Sequence, residues 1–228
     1  MNQLIAPAPT AGFLARVGLE RAAELTAMGT RRGYPAGAIL FMEGDVAHEA
    51  VVLLEGDLKV VVGSADGRDV VLDVFGPGEL VGEWSVIDGK TRSATVTALS
   101  DALVLSLPAA QFRAFLDRHP EVREGLLLDT IGRLRAQVRH QLEFGAGDAM
   151  GRVCARLVEL ADRFGYLDGD TTVIHSPLSQ ADLAAWTGLS REAVVKAMRQ
   201  LRSTGWISNR GPDITVHDLD RLRRRATH

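Results

Sequence analysis

The chain holds a single cysteine, Cys154, among 228 residues. One thiol cannot make an intrachain disulfide framework, an iron–sulfur cluster or a Cys-rich zinc site. Its scarcity points to a reducing compartment. No apolar run reaches the roughly 18 residues that a transmembrane helix needs, so no membrane partner is expected. Met1–Thr10 has no positive segment ahead of an apolar run and does not read as a signal peptide, which makes the cytoplasm the expected location. Neither sign of charge dominates: 26 Lys and Arg stand against 29 Asp and Glu, a net −3. That excludes a uniformly basic coat, so any nucleic-acid surface must be local. The six histidines, His48, His119, His140, His175, His217 and His228, show no ligand spacing, and no metal is expected.

What is present is ordinary for a globular protein: 46% hydrophobic and 24% charged residues, enough for one large domain or two small ones. Charge shifts along the chain. Residues 1–145 carry 14 basic and 19 acidic residues, and residues 146–228 carry 12 and 10. A basic tail behind an acidic front hints at a sensor joined to a polyanion binder.

Residues 34–107 read as short strands: Ile39–Phe41, Ala50–Leu54, Leu58–Val62, Val70–Val74, Ala94–Ala98 and Ala102–Leu107. Glycines punctuate them, and Asp66-Gly67 marks a hairpin turn. Strands this close, with no long helix between them, suggest a sandwich, barrel or jelly roll. Ala11–Gly29 reads as a helix packed through Phe13, Leu14, Val17, Leu19 and Leu25, and Pro108 opens another over Ala109–Arg118.

Glu121 to about Phe144 is a long helical pattern, and Leu127, Ile131, Leu134 and Val138 make one apolar stripe on it. The stripe fits either a helix packed on its own barrel or a seam between two subunits. Gly145-Ala146-Gly147 reads as a break and hinge, followed by a helix over Ala149–Phe164 and a strand over Thr171–Ile174.

Ser179–Thr187 reads as a short helix with a capping-box start at Ser179 and Asp182. Gly188 suits the turn, and Ser190 can cap a second helix over Arg191–Ser203. Leu183, Ala184, Leu189, Val194, Ala197, Met198 and Leu201 face inward, and the small residues let the two helices cross closely, the pattern of a helix-turn-helix. Arg191, Glu192, Val195, Lys196 and Arg199 face outward. In a first turn that enters a major groove, Arg191 can donate two bonds to guanine and Glu192 can accept from cytosine. Lys196 reaches a guanine or a phosphate, Gln180, Ser190 and Arg202 are phosphate candidates, and Ser179 and Arg199 complete the candidate DNA-binding set. A hairpin from Gly205–Ser208 to Ile214–Val216 would form a wing, with Arg210 on its loop available to a backbone phosphate; Arg221–Arg225 fits either a phosphate contact or a solvated helix end, the latter favoured.

Gly82-Glu83 and Arg92-Ser93 gather a carboxylate, a guanidinium and a hydroxyl on a turn-rich segment between strands. A carboxylate suits a sugar hydroxyl; Arg92, Ser93 and exposed N–H groups suit a phosphodiester anion. The alternative is a structural Glu83–Arg92 ion pair. Gly89-Lys90-Thr91 imitates the end of a P-loop, but Trp84 stands where its first glycine belongs and a strand follows, which excludes an NTPase.

Gly82-Glu83 with Arg92-Ser93-Ala94, and Leu189-Ser190-Arg191-Glu192 in the second helix, make the chain resemble the catabolite activator (CRP/FNR) family of bacterial transcription regulators from about residue 12 to 217. The resemblance implies an α+β chain in three parts: a jelly-roll cyclic-nucleotide-binding domain over 1–120, a dimerisation helix and hinge over 121–145, and a winged helix-turn-helix over 146–228. Glu83 would hold the ribose 2′-hydroxyl, Arg92 and Ser93 the cyclic phosphate, and Gly82 would allow close backbone approach. Trp84, Ser85, Ala94 and Leu134 complete the candidate effector set with Gln137 and Val138, which fall at the base-contacting positions. The archetype has two hydroxyl residues there, so the choice between cyclic AMP and cyclic GMP rests on an amide and an apolar side chain; cyclic AMP is favoured. Lys196 replaces the archetype's arginine, so the DNA site is expected to be related to TGTGA rather than identical.

The expected protein is thus a homodimeric, ligand-responsive regulator. Its partners would be a palindromic double-stranded DNA operator and RNA polymerase. Effector in the barrel would shift the long helix or its hinge and so set the spacing of two recognition helices. One rival keeps the architecture with another effector, or none. A more distant one is a cupin-like metalloenzyme, which needs clustered His and carboxylate ligands, and only His48 lies among the strands.

Overall fold

The structure, a computed structural model, describes residues 12–63, 69–146, 148–175, 178–210 and 213–227, with the side chains of 139–146 and Arg210 left aside. The expected Asp66-Gly67 turn lies outside the described residues. The chain divides into two compact units, Met1–Val62 with Leu72–Arg133, and Gly63–Val71 with Leu134–His228. The division falls inside the long helix, which the sequence boundaries at 120/121 and 145/146 bracket.

In chain order, the first part forms α1 (Gly12–Met28), β1 (Thr30–Tyr34), β2 (Ile39–Phe41), β3 (Glu49–Glu55), β4 (Leu58–Gly63), β5 (Asp69–Phe75), β6 (Leu80–Val81), α2 (Glu83–Asp88), β7 (Thr95–Ala98), β8 (Ala102–Pro108) and α3 (Ala109–Arg118). The strands make two four-stranded sheets, ordered β1-β8-β3-β6 and β2-β7-β4-β5. β3 and β8 are apolar on both faces, and the period of two sorts their side chains. Ala50, Val52, Leu105 and Leu107 join a core with Leu25 of α1 and with Phe112 and Phe115 of α3. Val51, Leu53 and Val104 turn the other way, into a second core with Phe41, Leu58 and Val96 of the facing sheet. Each of these buried Val, Leu and Phe side chains contributes about 1.5–3 kcal/mol.

Three elements differ from the sequence reading. Gly18 (φ 79°, ψ 165°) kinks α1, so Leu19, expected to pack, is 82% exposed. The segment after Gly82, expected as turns, is the helix α2, bounded by left-handed Gly82 and Gly89. β1 was not expected at all, because four of its five residues are exposed and no apolar pattern marks it.

The rest of the chain forms α4 (Pro120–Ala146), α5 (Ala149–Phe164), β9 (Gly165–Asp168), β10 (Thr171–His175), α6 (Gln180–Thr187), α7 (Arg191–Ser203), β11 (Ile207–Arg210), β12 (Asp213–Val216) and α8 (Leu219–Ala226), with the sheet order β11-β12-β10-β9. α4 continues through Gly145 and Ala146, where a break was expected, and Gly147 lies outside the described residues. Glycine weakens a helix by about 1 kcal/mol relative to alanine but does not forbid it. The next helix begins at a true cap: Asp148 accepts from the Gly151 N–H at 2.8 Å. The arginines of α8 are not a free helix end. Arg223 donates to Asp162 of α5 at 2.7 Å and Arg225 pairs with the Asp148 cap, so part of the tail's positive charge is consumed internally.

Candidate functional site

The first candidate site grows from the end of β6. Gly82 sits at φ 82°, and a Cβ there would lie 2.7 Å from both Arg92 Nη1 and Phe41 Cε2. Glycine is therefore required twice over, by conformation and by space. Arg92 is reached through a short return loop, whose backbone bonds from Gly44 N–H to Arg92 O (2.9 Å) and from Arg92 N–H to Asp45 O (2.8 Å) fix its Cα. The guanidinium lies inward, 5% exposed. Nη1 donates to Gly82 O at 2.9 Å and Nη2 to Glu49 O at 2.6 Å. Its Cζ stands 3.6 Å above the Phe41 ring.

Glu83, 6% exposed, does not pair with Arg92. Its Oε1 faces Nη1 of Arg133 on α4 at 3.5 Å, and the Arg133 guanidinium lies 4.6 Å over the Phe75 ring. The structural ion pair held open as an alternative is absent, and among the described residues Arg92 has no ion-pair partner. Burial pushes the Glu83 carboxyl above its ordinary value, against the pull of Arg133. Burial pushes Arg92 down, opposed by the fields of Glu49, Asp45 and Glu83. The result is a buried cation solvated by neutral carbonyls, with N–H edges left over for an anion.

The other candidates are disposed variously. Ser93 is exposed beside Arg92, and Ala94 is buried. Ser85 is buried with its hydroxyl donated to Thr91 O at 3.1 Å, and Trp84 is half exposed on α2. Leu134 and Val138 are exposed and Gln137 half-buried on α4, in the second unit. Arg133 is not among the residues that the sequence singles out. The usable signal was its position one turn before Gln137, on the same helix face.

The second candidate site is the outer face of α6 and α7. The Ser179 hydroxyl accepts from Asp182 N–H at 3.1 Å while Asp182 accepts from Ser179 N–H at 3.0 Å, the expected capping box. Gly188 turns the chain at φ 64°, and Ser190 caps α7 by accepting from Ala193 N–H at 3.2 Å. Leu183, Ala184, Val194, Ala197, Met198 and Leu201 are buried between the elements. Gln180, Arg191, Glu192, Val195, Lys196 and Arg199 together line one open surface concavity. Glu192 is held below its ordinary value by its own backbone N–H, then by the Ser190 hydroxyl, and so stays a ready acceptor. Arg202 is turned away to Asn209 of β11 at 3.2 Å, tying the helix to the wing. Arg210 ends β11, and its side chain lies outside the described set.

Comparison with known proteins bears on both sites. Residues 31–119 match the cyclic nucleotide-binding domain model, and 151–225 match the Crp-like helix-turn-helix domain model. The chain is 31% identical over 220 residues to the CRP-like cAMP-activated global transcriptional regulator of Mycobacterium tuberculosis, covering 94% of this chain and 98% of that one. The chain belongs to the CRP/FNR family. It is a DNA-binding transcription regulator with a cyclic nucleotide-binding domain, and not an enzyme, which removes the cupin-like rival. FixK2 of Bradyrhizobium japonicum shares the CRP/FNR fold at a TM-score of 0.78 and 24% identity, over 86% of this chain and 96% of that one. So does the c-di-GMP responsive regulator CLP of Xanthomonas campestris, at 0.70 and 21%, over 87% and 98%. No helix among the described residues is long and apolar enough to cross a membrane.

Proposed function

We propose that this CRP/FNR regulator binds a cyclic nucleotide, cyclic AMP before cyclic GMP, at Arg92, Ser93 and Glu83, and as a homodimer grips a palindromic operator. The observation that carries the effector reading is the Arg92 guanidinium: buried, hydrogen-bonded to two carbonyls, and without an ion-pair partner among the described residues. A buried cation with no directly paired counter-charge is costly even where nearby carboxylates soften that cost, and an anionic ligand relieves it further. Glu83, next to it in the fold, is the acceptor for a ribose hydroxyl. The name of the mycobacterial relative, cAMP-activated, supports the choice of cyclic AMP.

The dimer reading rests on α4. Leu127 and Leu134, one heptad apart, are 58% and 64% exposed, and Val138 is 50% exposed. A stripe left uncovered in a single chain favours the subunit seam over packing on the chain's own barrel. Two copies would bring two α7 helices to half-sites about 34 Å apart. Arg191 and Glu192 would read base edges, with Lys196, Arg199, Gln180, Ser179, Ser190 and Arg210 on bases or phosphates. Effector and operator then favour the same conformer, and each strengthens the other's binding. RNA polymerase is the further partner of this reading, and the cytoplasm its site of action.

The test is a calorimetric titration of the purified protein with each cyclic nucleotide, followed by operator binding with and without it. Saturable binding of cyclic AMP that tightens DNA binding is the expected result. Heat from neither nucleotide would overturn the effector reading while leaving the DNA-binding role standing.

A further inference from the structure

Arg92 can serve an anion only if its guanidinium plane is held while the ligand is absent. Its two backbone acceptors fix one edge, since Gly82 O takes Nη1 and Glu49 O takes Nη2. Two such bonds leave the plane free to rock about the line between them. What stops the rocking is Phe41, at the end of β2, whose ring sits beneath the cation with its centroid 3.6 Å from Cζ. Phe41 is itself clamped in the core between the sheets, 7% exposed, among Val51, Leu53 and Val96. On the remaining side Gly82 closes the gap, because any Cβ there would strike both Phe41 and Arg92. Ring, guanidinium and bare glycine backbone thus interlock.

We propose that Phe41 is a positioning residue for the anion site, its ring face holding the Arg92 guanidinium in the plane that presents its unused N–H groups to the ligand's phosphate. The proposal rests on the effector reading and deepens it. An aromatic face suits the task. It attracts the cation through the ring quadrupole without neutralising it, whereas a carboxylate in the same place would compete with the phosphate. Preorganisation of this kind raises affinity by removing the ordering cost that a swinging side chain would carry at binding.

The experiment separates the anion contact from general pocket integrity by using two ligands, cyclic AMP and its uncharged phosphate methyl ester. The ratio of their dissociation constants measures what the negative charge adds. Phe41→Met keeps a long apolar side chain and removes the ring face; it is expected to cut that ratio about tenfold while the ester's own affinity is unchanged. Phe41→Tyr is expected to restore the ratio. Equal weakening toward both ligands, or none toward either, would overturn the assignment. Binding of neither ligand by the parent protein would instead overturn the effector reading, and this assignment with it. A further measurement needs no variant: in the ligand-free parent, the Arg92 side-chain protons should be shifted upfield by the ring current of Phe41. Random-coil positions for them would overturn the stacked geometry on their own.

Discussion

Two arginines stand at the two candidate sites of this regulator, and they are prepared in opposite ways. Arg92 is buried, bonded to two carbonyls and stacked on a ring. Arg191, in the first turn of α7, is exposed, with no hydrogen bond or ion pair among the described residues. In the proposed function the first would meet one small anion in a fixed pose. The second would search along a groove and settle on a base edge, which suits a side chain left free until DNA is present. Burial thus separates an arginine suited to a fixed electrostatic socket from one suited to a mobile reader.

The largest expected effect comes from removing the seam that doubles the reader. Leu127→Asp places a charge on the exposed stripe of α4 and should reduce the mass seen by light scattering to that of one chain. Operator affinity should then fall by roughly a hundredfold or more, because the second half-site no longer binds as part of the same molecule. A variant of unchanged mass would show that the stripe is not the interface. Next comes the socket. Arg92→Ala should weaken cyclic AMP by at least about a hundredfold, as expected when one partner of a buried charged contact is lost. Wild-type affinity by calorimetry would refute the pocket. The mobile reader should give a smaller and more selective change: Arg191→Ala loses about 1–3 kcal/mol of discrimination at one guanine, read by operator variants in a gel-shift series. Uniform weakening on every sequence would make Arg191 a phosphate contact.

The two regions also differ in how far the sequence exposes them. The α7 face is legible because everything that specifies it is local: a cap at Ser190, a period of 3.6, and small residues at Ala184 and Ala197. The socket is legible only as a list of ingredients. Glu83 and Arg92 are nine positions apart, and their spacing favours their mutual pairing as readily as a ligand site. What turns the reading away from mutual pairing is Arg133, fifty positions from Glu83, which faces the carboxylate at 3.5 Å and leaves Arg92 without an ion-pair partner among the described residues. Phe41 is 51 positions from Arg92 and reads as one more core residue of β2. The strands buried on both faces, β3 and β8, announce themselves as apolar runs, whereas β1, Thr-Arg-Arg-Gly-Tyr, carries no apolar pattern because it lies exposed.

The smallest expected effect probes the socket's other charge. Burial raises the Glu83 carboxyl above its ordinary 4.5 even with Arg133 alongside, so the folded protein binds this proton more tightly than the unfolded chain does. A raised folded value means the stabilisation is complete below about 4.5 and is lost as pH rises through the folded value. Glu83→Gln has no such proton to lose. The thermal midpoint of the parent should therefore fall relative to that of Glu83→Gln as pH is raised from 4.5 toward 7, and comparing the two proteins cancels every other carboxylate. The opposite trend, with the parent gaining on the variant as pH rises, would mean that Arg133 outweighs burial and that Glu83 is held as a firm ion pair. In that case both charges of the socket would differ in kind, Glu83 locked to a partner and Arg92 open to one.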